Sequence, residues 1–324
     1  MTTIYLIRHA EAEGNLYRVA QGQHDSNLTD RGWQQVKALE RRFQRIPIDA
    51  VYASDLYRTR ATASAVCRPK GLLLHRRRDL REICVGDWEG RTWGDIARRT
   101  PEAMADFGAR MDRWSIPGAE TPAQVLARVR AAVEDIAREN PGKTVAVFSH
   151  GYAIRLLLAN LQGISLRDTG AQCPTGDNTA VSLLEWDGEA LRVLWQNDNR
   201  HLDALPKARR SYALEPGLWF RPAPALPDAP LSLEGLLDEE PVGLLRMDPD
   251  TGRILLLQVR PEFRRRGYGV QLLGQAVLAA RERGGETLSV PPDSGDFFRR
   301  WGFQGTPGEA LVKFIGFDPE IGGP

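Results

Sequence analysis

Short apolar runs punctuate the first 200 positions, and three of them stop abruptly at groups able to bind an anion. Ile4 to Ile7 is unbroken and apolar, the length of a strand buried on both faces, and it ends in Arg8 and His9. Asp49 to Ala53 runs into Ser54-Asp55-Leu56-Tyr57-Arg58-Thr59-Arg60-Ala61-Thr62-Ala63, which reads as a helix start with Arg58 in its first turn. Its free N–H groups are expected to face an anion. Thr144 to Phe148 ends in Ser149-His150-Gly151 and is followed by an apolar helix, Tyr152 to Leu161. Leu72 to Leu74 is a further strand candidate. Helical periodicity fills the gaps. Thr29 caps a helix whose apolar face is Trp33, Val36, Leu39 and Phe43; residues 95–115 read as helix with Met104, Phe107, Met111 and Trp114 packed inward as core, a lid over a pocket being the lesser reading; and Thr121 caps a helix reaching Arg138 with Pro122 in its first position. Residues 80–90 form an irregular loop containing Glu82, and Val181 to Trp186 with Leu191 to Trp195 form a hairpin around Asp187-Gly188.

Strands alternating with helices imply a largely parallel sheet, so the strand ends can meet on one edge. Two imidazoles (His9, His150), two guanidiniums (Arg8, Arg58) and a helix N-terminus would then converge. Arginine pairs bidentately with phosphoryl oxygens, which makes a phosphoryl group the matching ligand. A metal is the weaker alternative, because the histidine and carboxylate spacing is absent and two arginines would repel a cation.

Beyond residue 203 the pattern changes. Ala204 to Pro230 is rich in Pro and Arg, lacks apolar periodicity, and reads as a linker or wrapping segment. Val242 to Met247 and Arg253 to Val259 are two strands joined by Asp248-Pro249-Asp250-Thr251-Gly252. A helix from Tyr268 to Arg283 presents Leu272, Leu273, Ala276, Val277 and Ala280 on one face. Between strand and helix lies Arg264-Arg265-Arg266-Gly267-Tyr268-Gly269, an Arg-x-x-Gly-x-Gly anion cradle in which glycines let the backbone approach a pyrophosphate. A dinucleotide fingerprint does not fit, since Gly-x-Gly-x-x-Gly is missing.

Composition narrows the picture. A chain of 324 residues is long for one core, so two domains are expected. A net charge of +1 gives no bulk attraction to nucleic acid or membrane surfaces. Only five of the 43 cations are Lys, so the run Arg76-Arg77-Arg78 reads as a solvated face. Three cysteines, Cys67, Cys84 and Cys173, have no metal-type spacing and suit a reducing compartment. With no leader-like start and no membrane-length apolar run, a cytoplasmic location is expected. His24 and His75 read as surface residues, His201 as a structural closure, and Arg155 as an ion-pair partner near the pocket.

The first ~200 residues resemble the histidine phosphatase superfamily, with its phosphoglycerate mutase-like fold. The family's opening Arg-His-Gly-Glu-Thr-x-x-Asn is met by Arg8-His9-Ala10-Glu11-Ala12-Glu13-Gly14-Asn15, where Ala10 and Ala12 depart from the pattern. Further ordered matches are Gly22, Asp25, Leu28-Thr29, Gly32 and Gln35, the block Ser54 to Ala63, Gly86-Asp87-Trp88-Glu89-Gly90, Pro117 to Thr121, Ser149-His150-Gly151 with Arg155, and Asn197-Asp198 with His201-Leu202. The resemblance implies a three-layer αβα domain and a phosphohistidine mechanism that needs no metal or cofactor. His9 would be the nucleophile, Arg8, Arg58 and His150 the holders of the phosphoryl oxygens, and Glu82 the general acid and then base, which favours a mildly acidic rate optimum. Glu89 competes with Glu82, but the family's acid lies at Leu-x-Glu, here Leu80-Arg81-Glu82. Asn15, Gln21, Gly22 and Gly151 would complete the substrate site, and Arg91, Trp93, Trp114 and the loop Gln21 to Asn27 are candidates for its outer wall. Only 67 residues separate Glu82 from His150, which favours hydrolysis of a small phosphorylated metabolite over the mutase reaction.

The later stretch resembles the GCN5-related N-acetyltransferase fold, a smaller α+β domain. Arg264, Gly267 and Gly269 match its acetyl-CoA motif, and Phe297 to Phe303 matches its last helix. Acetyl-CoA would then lie against Val259, Arg264, Arg265, Arg266, Gly267, Tyr268 and Gly269. Phe298 stands where such enzymes often carry Tyr, and the preceding chain is too short for the usual first helices, so acyl-CoA binding is favoured over acetyl transfer. The expected organisation is a phosphatase domain over 1–203, a linker over 204–230 and an acetyltransferase-like domain over 231–324. The alternatives are a mutase, or an acyl-CoA-dependent transferase or sensor with the phosphatase domain as accessory. The oligomeric state is not legible.

Overall fold

A computed structural model describes residues 1–206 and 217–320. The first part of the chain forms a six-stranded sheet from β1 (Thr2–Arg8), β2 (Ala50–Ser54), β3 (Leu74–Arg77), β4 (Thr144–Ser149), β5 (Val181–Trp186) and β6 (Leu191–Asp198), in the order β3-β2-β4-β1-β5-β6. The first four in that order are parallel, and β5 and β6 add an antiparallel hairpin.

Side-chain alternation along the strands sorts the helices into two layers. Ile4, Leu6, Val145 and Val147 face α6 (Pro122–Glu139) and α7 (Gly151–Leu161). Ile7, Ala146 and Phe148 face α2 (Asp30–Phe43) and α3 (Tyr57–Lys70). This is the expected three-layer sandwich. Thr29 caps α2 by accepting from Gly32 N–H, and Thr121 caps α6 in a full capping box with Gln124.

Some elements differ from the sequence expectation. The third run is displaced: Gly71, in the left-handed region at φ 62°, ends α3, and the strand is Leu74–Arg77 at the sheet edge. Residues 95–115 are not one helix. Thr100-Pro101 divides α4 (Trp93–Arg99) from α5 (Pro101–Ala109), because Pro101 cannot continue the α4 ladder but can start a new helix. Arg77 spends its charge on Asp79, in keeping with a solvated face.

A second six-stranded sheet has the order β12-β11-β10-β9-β8-β7. Its strands are β7 (Trp219–Pro222), β8 (Leu231–Leu237), β9 (Glu240–Asp248), β10 (Arg253–Val259), β11 (Thr287–Val290) and β12 (Leu311–Phe314), with α9 (Tyr268–Glu282) and α10 (Asp296–Arg300) beside it. Part of the segment read as linker is therefore strand. β7 pairs antiparallel with β8, and its Pro222 is tolerated because β7 is an edge strand. Residues 207–216 of that segment lie outside the described residues. β10 and β11 are parallel but share only the register pair Arg253↔Ser289, so the C-terminal part of β10 splays away from β11.

The two sheets' domains share a core. Tyr17 and Val19, from α1 (Glu13–Tyr17) and its exit, sit in one apolar cluster with Leu245, Val270, Leu273 and Val277 of the second domain. Glu13, 8 % exposed, pairs with Arg281 at 2.7 Å, and Asn27 Nδ2 donates to the carbonyls of Ile315 and Gly316. Leu218 N–H donates to the buried Gln271 Oε1, and the Arg98 guanidinium lies 4.2 Å over the Trp219 ring. No helix among the described residues is long and apolar enough to cross a membrane.

Candidate active site

Parallel pairing of β1 with β4 puts Arg8 opposite Ser149, so the residues that follow, His9 and His150, emerge side by side. His9 N–H donates to Ser149 O, and the two rings lie 5.2 Å apart between centroids. The turn after His9 is tied to α3: Ala10 N–H donates to Thr62 Oγ1, and that hydroxyl donates to Arg58 O. Ala10 is fully buried and has no positive φ, so glycine is not required there.

His9 is 4 % exposed, and its Nδ1 lies 2.7 Å from Ala10 O. A carbonyl only accepts, so Nδ1 carries the proton and Nε2 keeps its lone pair. Burial, then the charges of Arg58 and Arg8, hold the His9 pKa well below the ordinary imidazole value. His150 is fully buried and is likewise depressed by burial and by Arg58. Neither ring nitrogen of His150 has a partner among the described residues. Both ring nitrogens are therefore available to hydrogen-bond a ligand or water in the cavity beside them.

Arg58 is 1 % exposed, and its guanidinium donates to Gly22 O at 2.7 Å and His24 O at 2.9 Å. Its Nε has no partner among the described residues. Arg8 donates to Gly176 O and lies flat against Gly151, where a Cβ would come within 3.0 Å of the guanidinium carbon. Glu82 accepts from Ile83 N–H, Tyr152 N–H and Ala153 N–H, so its carboxylate closes the N-terminus of α7 while lining the same cavity. That cavity, about 380 Å³, brings together Arg8, His9, Asn15, Gln21, Gly22, Arg58, Glu82 and Gly151. His150 adjoins it through the ring contact with His9.

Several expectations need correction. The N-terminus of α3 is not free to receive an anion, because Asp25 accepts from Tyr57 N–H with both oxygens at 2.8 and 3.1 Å. Gly22 presents its carbonyl to Arg58, and with φ 44° its missing Cβ would collide with Glu89. Glu89 accepts from the N–H groups of Gln23, His24 and Val85 and clamps the loop instead of lining the cavity. Arg155 makes no ion pair among the described residues; it donates to the carbonyls of Cys173, Thr169 and Gly170 and also reaches the cavity. Of the outer-wall candidates, Trp93 lines it, as do Gln21 and Gly22 of the Gln21–Asn27 loop. Arg91 pairs with Asp95 and Trp114 is buried in the core. Sequence reasoning missed Arg18, Phe107, Tyr152 and Thr175, which come from four separate stretches. Phe107 stacks on Tyr152 at 4.8 Å, so α5 covers the mouth and is not simply core.

His201 closes the domain. It takes a bond from Arg42 at Nδ1 and lies 3.0 Å from Thr179 Oγ1 through Nε2, so it is neutral with the proton on Nε2. Burial and Arg42 lower its pKa to about 4. An unfolded chain takes up this proton near pH 6.5, before the native state does. The contribution of neutral His201 is thus complete above that pH and is lost as pH falls toward about 4. The urea midpoint is expected to fall between pH 7 and pH 5, and His201→Gln should narrow that fall; an equal fall in both proteins would count against it.

In the second domain, Val259, Arg264, Arg265, Gly267 and Gly269 line a larger cavity of about 1080 Å³. Arg265 and Gly267 both have positive φ, 62° and 88°, which turns the backbone at the start of α9. A Cβ on Gly269 would meet the Phe297 ring at 3.0 Å. Two of the expected cradle residues point elsewhere: the Arg266 guanidinium lies over the rings of Phe263 and Tyr268, and Tyr268 is buried against Phe263. The splay of β10 from β11 exposes Leu257 and Val259 to this cavity, giving an apolar trough ending in cations and backbone turns. Those features fit a CoA thioester.

Comparison with known proteins gives the relationships. Residues 235–305 match the acetyltransferase (GNAT) domain family. The chain is 29 % identical over 203 residues to phosphoserine phosphatase 1 of Hydrogenobacter thermophilus, covering 62 % of this chain and 95 % of that protein. It is 34 % identical over 164 residues to the metal-independent phosphoserine phosphatase of Arabidopsis thaliana, 48 % and 67 % of the two chains. Among solved structures, a phosphoserine phosphatase mutant from Entamoeba histolytica in complex with phosphoserine superimposes with TM-score 0.55 at 25 % identity, over 62 % of this chain and all of that one. Residues 4–199, well over half of the chain, match the histidine phosphatase superfamily (branch 1), and the chain belongs to that family.

Proposed function

We propose that the first domain hydrolyses a small phosphomonoester, with phosphoserine-like esters as the substrate class, through a phosphohistidine. The observation that carries this reading is the buried pair of neutral imidazoles flanked by Arg8 and Arg58 in a cavity of about 380 Å³, room for a small ester. His9 Nε2 attacks phosphorus in line; the N–P bond forms as the ester P–O bond breaks. Arg8, Arg58 and His150 hold the equatorial oxygens, where charge accumulates in the transition state. The Glu82 carboxyl gives its proton to the leaving oxygen. Water then attacks the phosphohistidine, Glu82 takes its proton, and His9 is released with inorganic phosphate. Asn15 and Gln21 border the ester, while Gly151 leaves room for Arg8.

In the second domain, the trough along Val259 and the turn Arg264–Gly269 would hold acetyl-CoA. Arg264 and Arg265 would take its phosphates and the apolar trough its pantetheine arm. The bound thioester would supply an activated acyl group; Phe298 has no hydroxyl to protonate a departing thiolate, which favours binding over transfer.

The test is phosphate release from phosphoserine and from a generic aryl phosphate. Release unaffected by chelator, with an acid-labile phosphoenzyme in rapid quench, is expected. Chelator-sensitive release, or phosphate retained on an isomerised product, would defeat the hydrolase reading.

A further inference from the structure

The cavity of the second domain is not confined to it. Its opposite wall is built by the phosphatase domain, from Asn15, Leu16, Tyr17, Leu28 and Asp30. Asn15 also lines the phosphate cavity, so the two cavities share a wall, and that wall is α1.

α1 has no slack on either side. On the phosphate side, a Cβ on Gly14 would lie 2.1–2.4 Å from the Gln21 side chain. On the other side, Tyr17 presses so closely on α9 that a Cβ on Gly274 would fall 2.5 Å from its Cβ. Neither contact has room for a methyl group. At one end, Asn15 Oδ1 accepts from Ala12 N–H, three residues from His9; the same helix is anchored to α9 by the buried Glu13–Arg281 pair. Close-packed contacts of this kind transmit displacement instead of absorbing it. A ligand that shifts or stiffens α9 acts on α1, and α1 borders the phosphate.

We infer that the large cavity is a two-domain site for a CoA thioester, with the phosphatase domain as an essential wall, and that its occupancy is thermodynamically coupled to phosphate binding through α1. This rests on the acyl-CoA reading above. Coupling of this kind is reciprocal: acetyl-CoA changes phosphate affinity by the factor by which phosphate changes acetyl-CoA affinity.

The experiment is calorimetric titration of acetyl-CoA into the full chain, with and without saturating inorganic phosphate. One site is expected, with affinity shifted about fivefold or more by phosphate. Leu16→Trp, which fills the cavity from the phosphatase side, should weaken acetyl-CoA about tenfold or more while leaving a cooperative melt. Because phosphate could also compete in the arginine cradle, the titration is repeated in the double variant Arg8→Gln/Arg58→Gln, which keeps hydrogen-bond donors but removes both pocket charges, so that a shift arising from the catalytic pocket is expected to disappear. Wild-type binding that is insensitive to phosphate, or a shift that persists in the double variant, overturns the coupling. Unchanged binding in Leu16→Trp overturns the shared wall and leaves the acyl-CoA reading standing. No binding to wild type removes that reading as well.

Discussion

His9→Ala is expected to slow phosphate release about 10⁴-fold or more while leaving phosphoserine bound within a few-fold of wild type. The split follows from the geometry. His9 contributes the attacking nitrogen, whereas anion affinity comes chiefly from Arg8, Arg58 and His150, which keep their anchors on Gly176, Gly22, His24 and strand β4. The Nδ1 bond to Ala10 O fixes the tautomer that directs Nε2 outward, and alanine has nothing to replace it. Steady-state rates together with a direct binding measurement on the variant separate the two effects. A loss below about a hundredfold would mean that another group attacks phosphorus.

Arg58→Lys is the second large effect, and it tests shape as opposed to charge. The Arg58 fork is held by two backbone carbonyls, and its buried Nε remains unspent. A lysine keeps the charge but offers a single point, so it can serve the carbonyls or the phosphoryl oxygens, not both in plane. The expected loss is about 10²–10³ in kcat, by analogy with removing one oxyanion donor. A stability loss of about 1–3 kcal/mol from an unsatisfied Gly22 or His24 carbonyl should accompany it, read from urea midpoints. Full activity in the lysine variant would reduce Arg58 to a local counter-charge.

Much of this site was legible because its side chains follow short apolar runs directly: a strand buried on both faces must be apolar, so Arg8-His9 and Ser149-His150 stand out where it ends. The N-terminus of α3 was misread because its plug, Asp25, lies 32 residues earlier and no local pattern joins the two. The cradle was over-read for a related reason. A motif spells out consecutive residues, but the backbone turn at Arg265 and Gly267 sends alternate side chains to opposite sides: Tyr268 goes to the core, and Arg266 lies exposed over the rings of Phe263 and Tyr268. β7 hid in a Pro-rich stretch because an edge strand needs only one row of ladder bonds. Phe107, Tyr152 and Thr175 reach the phosphate cavity only through tertiary folding, and no spacing rule links them.

The burial of Tyr17 and Val19 in the other domain's core bears on how the chain can be cut. A truncation between the halves would uncover Tyr17 and Val19 on one piece and Leu245, Val270, Leu273 and Val277 on the other, and would strand Glu13 without Arg281. Either piece made alone would carry a sticky apolar scar where one short helix was seated.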